Sequence, residues 1–228
     1  MTKNLLKRII TSIFLLSLLF FINFNNKLIF VLSILILGML VFIEANNIFL
    51  KLSGSQFSKI TTLKKFDLKF LFLNISTFLY IFFIFCYFSY KLHSTMGPYF
   101  FLYVIFICFF TDIGGYIFGK IIGGKKLTKI SPNKTISGTI GSFLFSVIPF
   151  FLFLNTNNIN IEFNLKHVLF VLLVSLVSQL GDLFISFFKR KAKIKDSGKI
   201  LPGHGGFLDR LDGIIFAVPF SYFLLKLF

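Results

Sequence analysis

Acidic residues are scarce in this chain, which has 8 Asp and Glu among 228 residues against 24 Lys and Arg. Tryptophan is absent, and the 2 cysteines, Cys86 and Cys108, lie inside apolar runs without a CxxC spacing. That placement excludes a disulfide framework and a cysteine metal site. Because the chain also has no Pro-rich or Gly/Ser-rich linker and no convincing internal repeat, a single domain is expected.

Apolar residues dominate the composition, at 56% of the chain with a mean hydropathy of +0.89. A soluble domain of this size cannot bury so much apolar surface, so lipid is the expected solvent. The apolar runs are continuous rather than alternating, and lipid offers no partner for an unpaired backbone amide, so each run is predicted to be a helix. The expected fold is an all-α polytopic membrane helix bundle with about seven transmembrane helices. The predicted spans are 9–24, 28–43, 70–90, 99–118, 137–154, 167–188 and 213–228.

Lysine and arginine are distributed unevenly between alternate connections of these spans. Twenty of the 24 lie in segments 1–8, 44–69, 119–136 and 189–212, and only 4 lie elsewhere. Because basic residues are retained on the cytoplasmic side, the N-terminus is predicted to be cytoplasmic. The net charge of +16 therefore favours anionic lipid and nucleotide phosphate as partners, and no nucleic acid is expected.

Asp182 lies within an otherwise apolar run, where a charged side chain is costly. Polar residues recur around it at spacings of three and four, a spacing that places side chains on one helix face. These residues are Ser175, Ser178, Gln179, Ser186 and Lys189. The stripe is predicted to face protein or a water-filled cavity. The alternative is an ordinary helix-packing face with one protonated or snorkelling aspartate.

The segment after this helix combines glycines with charges of both signs. Its polar members are Lys189, Arg190, Lys195, Asp196, His204, Asp209, Arg210 and Asp212, set among Gly198, Gly203, Gly205 and Gly206. Glycines let backbone amides approach phosphate oxygens, basic residues neutralise them, and carboxylates bind a hard divalent cation. Mg²⁺ is the expected cation because the acids are not accompanied by clustered His or Cys. His204 fits a structural hydrogen bond as well as a role as a base or phosphate donor.

A second polar patch follows the fourth apolar run. Asp112 and Tyr116 lie near its end, and the lysines of 119–136, including Lys134, come next. Gly114–Lys120 imitates part of a P-loop, but Ile121 stands where Ser or Thr must bind Mg²⁺, which excludes that reading. The lysines become candidates for a substrate pocket because they accompany an intramembrane acid.

These residues together carry a family resemblance. The segment Ser186-Phe-Phe-Lys-Arg190, with Lys195-Asp196, Gly198, Pro202 and His204-Gly-Gly-Phe-Leu-Asp-Arg-Leu-Asp212, resembles the signature of the phosphatidate cytidylyltransferase family. Asp112-Ile-Gly-Gly-Tyr116, Gly119, Lys126-Leu and Ile130-Ser-Pro-Asn-Lys-Thr135 are similar to its upstream conserved region, with Ser137 where the family often has Glu. The resemblance covers 99–228, the expected catalytic region. Residues 1–98 are expected to form N-terminal transmembrane helices with a basic cytoplasmic connection.

The resemblance implies transfer of the cytidylyl group of CTP to phosphatidate in phospholipid biosynthesis, at a site facing the cytoplasm. It implies Asp182 and Asp209 as metal ligands for Mg²⁺, with room for a second cation, and the protein is expected to form a homodimer in membrane lipid. The implied catalytic residues are Asp182, Asp209, Asp212, Lys195 and His204. The implied substrate-binding residues are Asp112, Tyr116, Lys134, Ser186, Lys189, Arg190, Asp196, Gly205, Gly206 and Arg210.

Three other functions use similar features. A CTP-dependent lipid-alcohol kinase, or another CDP-lipid synthase, would place a different acceptor in the same nucleotide pocket. A small membrane transporter would also carry acids inside helices. The chain lacks the paired broken helices typical of such transporters, and a transporter has no need of the Gly-rich charged segment.

Overall fold

A computed structural model describes residues 3–52, 68–128, 131–154, 164–198, 200–201 and 205–227, with side chains from Ile9 onward. Within these ranges the structure is helical, with two isolated β-bridges and no strand. The helices are α1 (Lys3–Phe24), α2 (Lys27–Leu52), α3 (Leu68–Leu79), α4 (Tyr87–Ile121), α5 (Ile136–Ser146), α6 (Ile148–Leu154), α7 (Leu165–Lys191), α8 (Leu208–Leu211) and α9 (Ile214–Leu227). A π-helical segment, Tyr80–Cys86, joins α3 to α4.

Four helical stretches in the described part of the chain are long and apolar enough to cross a membrane. They are Lys27–Leu52, Leu68–Ile121, Ile136–Leu154 and Leu165–Lys191, and Ile9–Phe24 is a shorter apolar helix. Large apolar side chains lie on their outer surfaces, with Ile13 63% and Phe72 71% exposed. Such a surface needs lipid around it. The predictions of an all-α fold and of an integral membrane protein are confirmed.

The longest helical stretch, Leu68–Ile121, is bent at Gly97. Gly97 has φ 85° and ψ 170°, a conformation that residues with a Cβ rarely adopt, and Pro98 has no N–H to continue the helical hydrogen bonds. Asn23 of α1 donates a hydrogen bond to the Pro98 carbonyl over 2.8 Å. The predicted spans 70–90 and 99–118 are therefore the two arms of one kinked stretch.

Helix α2 differs from the sequence-based prediction, which ended the second apolar run at residue 43. The helix continues to Leu52 and buries Glu44, Ala45, Ile48 and Phe49. These residues lie three and four apart, so the inward face persists after the first acid of the run. The predicted span 28–43 lies within this helix, which continues beyond it to Leu52 and buries the acid at position 44.

Glycines allow α4 and α5 to approach closely. A methyl group on Gly114 of α4 would overlap the carbonyl oxygen of Gly141 and approach Cβ of Phe145 to 2.6 Å. On the α5 side, a methyl group on Gly138 would lie 2.8 Å from the Gly115 carbonyl oxygen. Small residues at a membrane helix interface permit such backbone contact. This contact fixes the α4–α5 connection, which carries Lys134, relative to α4.

We expect Gly114→Ala to destabilise the protein by about 1–3 kcal/mol, because the helices must separate to admit the methyl group. Gly119→Ala is the matched control, since its added methyl would meet Thr135 Oγ1 at 3.3 Å. Both substitutions bring the same gain in helix propensity. The measurement is the midpoint of thermal unfolding in detergent, and equal midpoints for the two variants would contradict the packing described.

Candidate active site

The polar stripe of α7 faces the protein. Ser175, Ser178, Ser186 and Lys189 are buried, and Asp182 is half-buried. Ser186 donates a hydrogen bond to Asp182 Oδ1 over 3.2 Å. Thr111 of α4 donates to Ser175 over 2.9 Å, which ties the deeper end of the stripe to the neighbouring helix. The three- and four-residue spacing therefore corresponds to an inward-facing row of polar side chains.

Lys134 joins the two polar patches that the sequence shows separately. Its ammonium group lies 2.5 Å from Asp182 Oδ2, and the two side chains are 28% and 24% exposed. Lys134 precedes Thr135, whose hydroxyl caps α5 by accepting from Gly138 N over 3.1 Å. Thr135 also forms an isolated β-bridge with Lys126. The folded α4–α5 connection thus brings a base to the acid of α7.

Ser137, where the family often has Glu, lies in this same connection. Its hydroxyl donates a hydrogen bond to the Gly123 carbonyl and lies 2.9 Å from the Thr135 hydroxyl. Gly123 adopts φ +63°. Ser137 therefore helps to hold the connection that presents Lys134.

Helix α7 ends in Lys189, Arg190 and Lys191, whose positive charges are favourable at the negative end of the helix dipole. The chain then reverses at Lys193, which has φ 56°. Further on, Leu201 N donates a hydrogen bond to Gly205 O over 2.9 Å. We call residues 195–209 the signature loop. His204, with Pro202 and Gly203, lies outside the described residues, so its predicted role stays a prediction.

Asp209 holds the signature loop together. Oδ1 accepts a hydrogen bond from the Lys189 ammonium over 2.8 Å, and Oδ2 accepts from Ser197 N over 2.8 Å and Gly206 N over 3.0 Å. Burial alone raises the pKa of the Asp209 carboxyl, but these hydrogen bonds outweigh burial and hold the pKa below its usual range. Asp209 is therefore ionised at neutral pH and uses both oxygens within the protein.

Asp212 brings a second carboxyl group to Asp182. The Asp182 and Asp212 carboxyl groups lie close enough to interact electrostatically, and Asp212 Oδ1 accepts a hydrogen bond from Gly213 N over 2.9 Å. Lys189 lies 4.0 Å from Asp212 Oδ2. Two carboxyl groups this close repel when both are ionised unless a proton or a cation lies between them. The acids of α7 and of the α8–α9 junction thus form one cluster with Lys134 and Lys189.

The other predicted site residues lie around this cluster. Asp112 and Tyr116 are exposed on α4, and Asp112 is within electrostatic range of Asp182 and Arg210. Lys195, Asp196 and Arg210 are exposed. Arg190 is also exposed and donates to the Ile194 carbonyl over 3.2 Å. Gly205 has φ +86°, and a methyl group there would lie 2.9 Å from Asp209 Oδ2. The structure therefore combines a buried ionic core with an exposed rim of charges.

One residue that the sequence reading missed is Glu44 of α2. It is 2% exposed and contacts the signature loop. The sequence carries the same signal for Glu44 as for Asp182, because Glu44 is also an acid with apolar residues on both sides at helical spacing. Its assignment to a connection hid that signal.

The pair of Asp182 and Asp212 is better suited to a metal ion that also binds the substrate than to a metal ion held by protein ligands alone. Among the described residues no group of three or more His, Cys, Asp or Glu is placed to hold a metal ion. The Asp182–Asp212 pair nevertheless offers carboxylate oxygens only. Mg²⁺ is commonly held by one or two carboxylates together with substrate phosphates and water. The donor set therefore fits Mg²⁺ that also binds a phosphate ligand.

An apolar cavity of about 270 Å³ adjoins the cluster. It lies between α2, α3, the π-helical segment, α7, α8 and α9, and its lining includes Phe184, Phe188, Leu208 and Phe216. Leu208 directly precedes Asp209, so the apolar cavity and the ionic cluster are neighbours.

Comparison with known proteins decides the family. The model of the cytidylyltransferase family matches residues 48–228 of this chain. The chain belongs to the cytidylyltransferase family. Its curated relatives include the phosphatidate cytidylyltransferase of Staphylococcus haemolyticus (strain JCSC1435), 46% identical over 132 residues that make up 57% of this chain and 50% of the relative. That of Bacillus subtilis (strain 168) is 43% identical over 130 residues, 55% of this chain and 48% of the relative. The matched part is about half the length of these cytidylyltransferases, and the predicted family resemblance is confirmed.

We expect Lys189→Met to destabilise this protein by about 3 kcal/mol, because it leaves Asp209 and Asp212 buried without their shared base. Lys191→Met is the control, since Lys191 is exposed and its ammonium lies over the Phe187 ring at 4.5 Å. Its loss should cost no more than about 1 kcal/mol. Thermal unfolding in detergent checks both, and a Lys189→Met midpoint equal to that of Lys191→Met would contradict the ion pairing.

Proposed function

We propose that this chain carries the catalytic site of a phosphatidate cytidylyltransferase. The reaction transfers the cytidylyl group of CTP to phosphatidate, giving CDP-diacylglycerol and pyrophosphate. The observation that carries the proposal is the cluster of Asp182, Asp212, Lys134 and Lys189, assembled from three separate segments of a family member. The printed function of the relatives supports the choice of substrates.

We propose Mg²⁺ as the cofactor, bound by Asp182 and Asp212. Asp209 accepts three hydrogen bonds, from Lys189 and from two backbone amides of the signature loop, whereas Asp212 accepts one, from Gly213 N, and lies within electrostatic range of Asp182. When bound, the ion would neutralise phosphate charge and polarise the phosphorus under attack. The assignment of Asp209 as a ligand, made from the resemblance, stays a prediction. So does a second cation, for which Asp112, within electrostatic range of Asp182 and Asp212, is a further candidate acid.

The basic residues of the site would neutralise and orient the phosphates of both substrates. A phosphatidate oxygen attacks the α-phosphorus of CTP, the bond to the β-phosphate breaks, and pyrophosphate leaves with the bonding electrons. Phosphatidate is already an anion, so alignment and charge neutralisation contribute more than a general base. Lys134 and Lys189 lie next to the paired acids, and Lys195, Arg190 and Arg210 are exposed at the rim, where a polyanionic nucleotide would enter.

The membrane arrangement supports the same reaction. We propose seven spans with a cytoplasmic N-terminus in the bacterial inner membrane, because 20 of the 24 Lys and Arg lie in one set of connections. That set contains Lys134, the end of α7 and the signature loop, so the site faces the cytoplasm, where CTP is found. The apolar cavity beside Leu208 is suited to a lipid acyl chain. A homodimer is proposed on the resemblance alone.

We expect Asp182→Asn and Asp209→Asn each to abolish turnover while the protein remains inserted and folded. The first removes a charge from the paired acids, and the second removes the anchor of the signature loop. The measurement is pyrophosphate release by purified protein, which should require CTP and phosphatidate together. Near-wild-type activity in Asp182→Asn would refute its role in the site.

Glu162→Gln is the matched acid-to-amide control. Glu162 comes just before the first residue of α7, whereas Lys189 lies near the last residue of that helix. It should keep wild-type activity. Phosphorylation of a lipid alcohol by CTP would instead identify a kinase. Acceptance of a different acceptor in place of phosphatidate would identify another CDP-lipid synthase.

A further inference from the structure

Glu44 of α2 is buried against the signature loop, with 2% of its surface exposed. Its Oε1 accepts a hydrogen bond from Phe207 N over 3.1 Å. Its Oε2 accepts from Leu208 N over 2.9 Å and from the Ser197 hydroxyl over 2.7 Å. Residues 197 and 207–208 are the two ends of the loop. One carboxylate from a distant helix therefore connects both ends.

The loop fits closely around this carboxylate. A methyl group on Gly198 or on Gly206 would overlap the Glu44 carboxylate oxygens. Two glycines of the signature loop are thus required by contact with α2, in addition to any contact with phosphate. Such a fit leaves the loop little freedom to move relative to α2.

Glu44 and Asp209 share the donors of this loop between them. The Ser197 backbone amide donates to Asp209 and its hydroxyl donates to Glu44. The Gly206 amide donates to Asp209, and the next two amides donate to Glu44. Interleaved contacts of this kind couple the two carboxylates, because moving one shifts donors that hold the other. Since Asp209 also binds Lys189, the coupling extends to the paired acids.

We propose that Glu44 is a positioning residue, which sets the signature loop so that Asp209, Lys189 and Asp212 keep their places around the substrates. This inference rests on the proposed function for its kinetic consequence. Glu44 precedes the matched family region, 48–228, and lies outside the segment that carries the resemblance. A residue serving packing alone at this position would be apolar, as its neighbours Val41, Ala45 and Ile48 are. Only a side chain with acceptor oxygens can receive the three donors that Glu44 receives.

The test compares Glu44→Gln with Asn47→Ala, a control on the exposed side of the same helix. Glutamine keeps the size of the side chain but turns one acceptor oxygen into a donor that faces a loop N–H. We expect kcat to fall about tenfold to hundredfold, as misplacement of reacting groups does. KM for CTP should stay within about threefold, because exposed basic residues bind the nucleotide. Asn47→Ala should keep both constants.

Hydrogen exchange provides a readout that does not depend on activity. In Glu44→Gln the amides of Phe207 and Leu208 should exchange faster than in wild type, while those of α7 should not change. If the wild-type protein shows no pyrophosphate release from CTP and phosphatidate, the proposed function fails, and exchange alone decides the role of Glu44. The inference would be overturned if the Phe207 and Leu208 amides exchanged no faster in Glu44→Gln than in wild type. It would also be overturned if the loss of activity were no larger than the loss of folded protein.

Ser197→Ala provides a milder variant if Glu44→Gln does not accumulate. It removes one of the three donors and leaves the two amide contacts. We expect a smaller fall in kcat than for Glu44→Gln and faster exchange of the Ser197 amide. An unchanged kcat together with unchanged exchange would overturn the inference.

Discussion

The cost of charge in a low-dielectric environment governs the arrangement of this protein. Each acid on the inward faces of the helices is paired with a base or surrounded by hydrogen-bond donors. Asp182 pairs with Lys134, and Asp209 and Asp212 share Lys189. These pairs join the α4–α5 connection, α7 and the α8–α9 junction at one place. The same charges that make burial costly are those that phosphate chemistry needs.

The site depends on backbone geometry as much as on charged side chains. Close contact between glycines of α4 and α5 positions the α4–α5 connection, from which Lys134 forms its ion pair with Asp182 of α7. The signature loop is fixed at its ends by two carboxylates, Asp209 and Glu44, that accept main-chain and hydroxyl donors. The described ends of the loop are therefore held in place by contacts within the protein itself.

Sequence alone predicts the helices and much of the candidate site, because both follow from local rules. Continuous apolar runs determine the helices, and the spacing around Asp182 determines its inward face. The partner of Asp182 is not local, since Lys134 is one of five lysines in its connection and only the folded turn selects it. Glu44 was missed because position 44 was assigned to a connection, although its spacing from Ile48 matches the inward face of α2. Its donors could not be predicted locally, since Ser197, Phe207 and Leu208 lie more than 150 residues away.

The proposed site requires that Asp182 and Asp212 hold a cation that the triphosphate of CTP shares. Mn²⁺ binds the same oxygen donors as Mg²⁺ and is visible by electron paramagnetic resonance. Purified protein with Mn²⁺ and CTP should show a bound signal with coupling to phosphorus. That signal should disappear in the double variant with Asp182→Asn and Asp212→Asn. A bound, phosphorus-coupled signal that survives in the double variant would contradict the account.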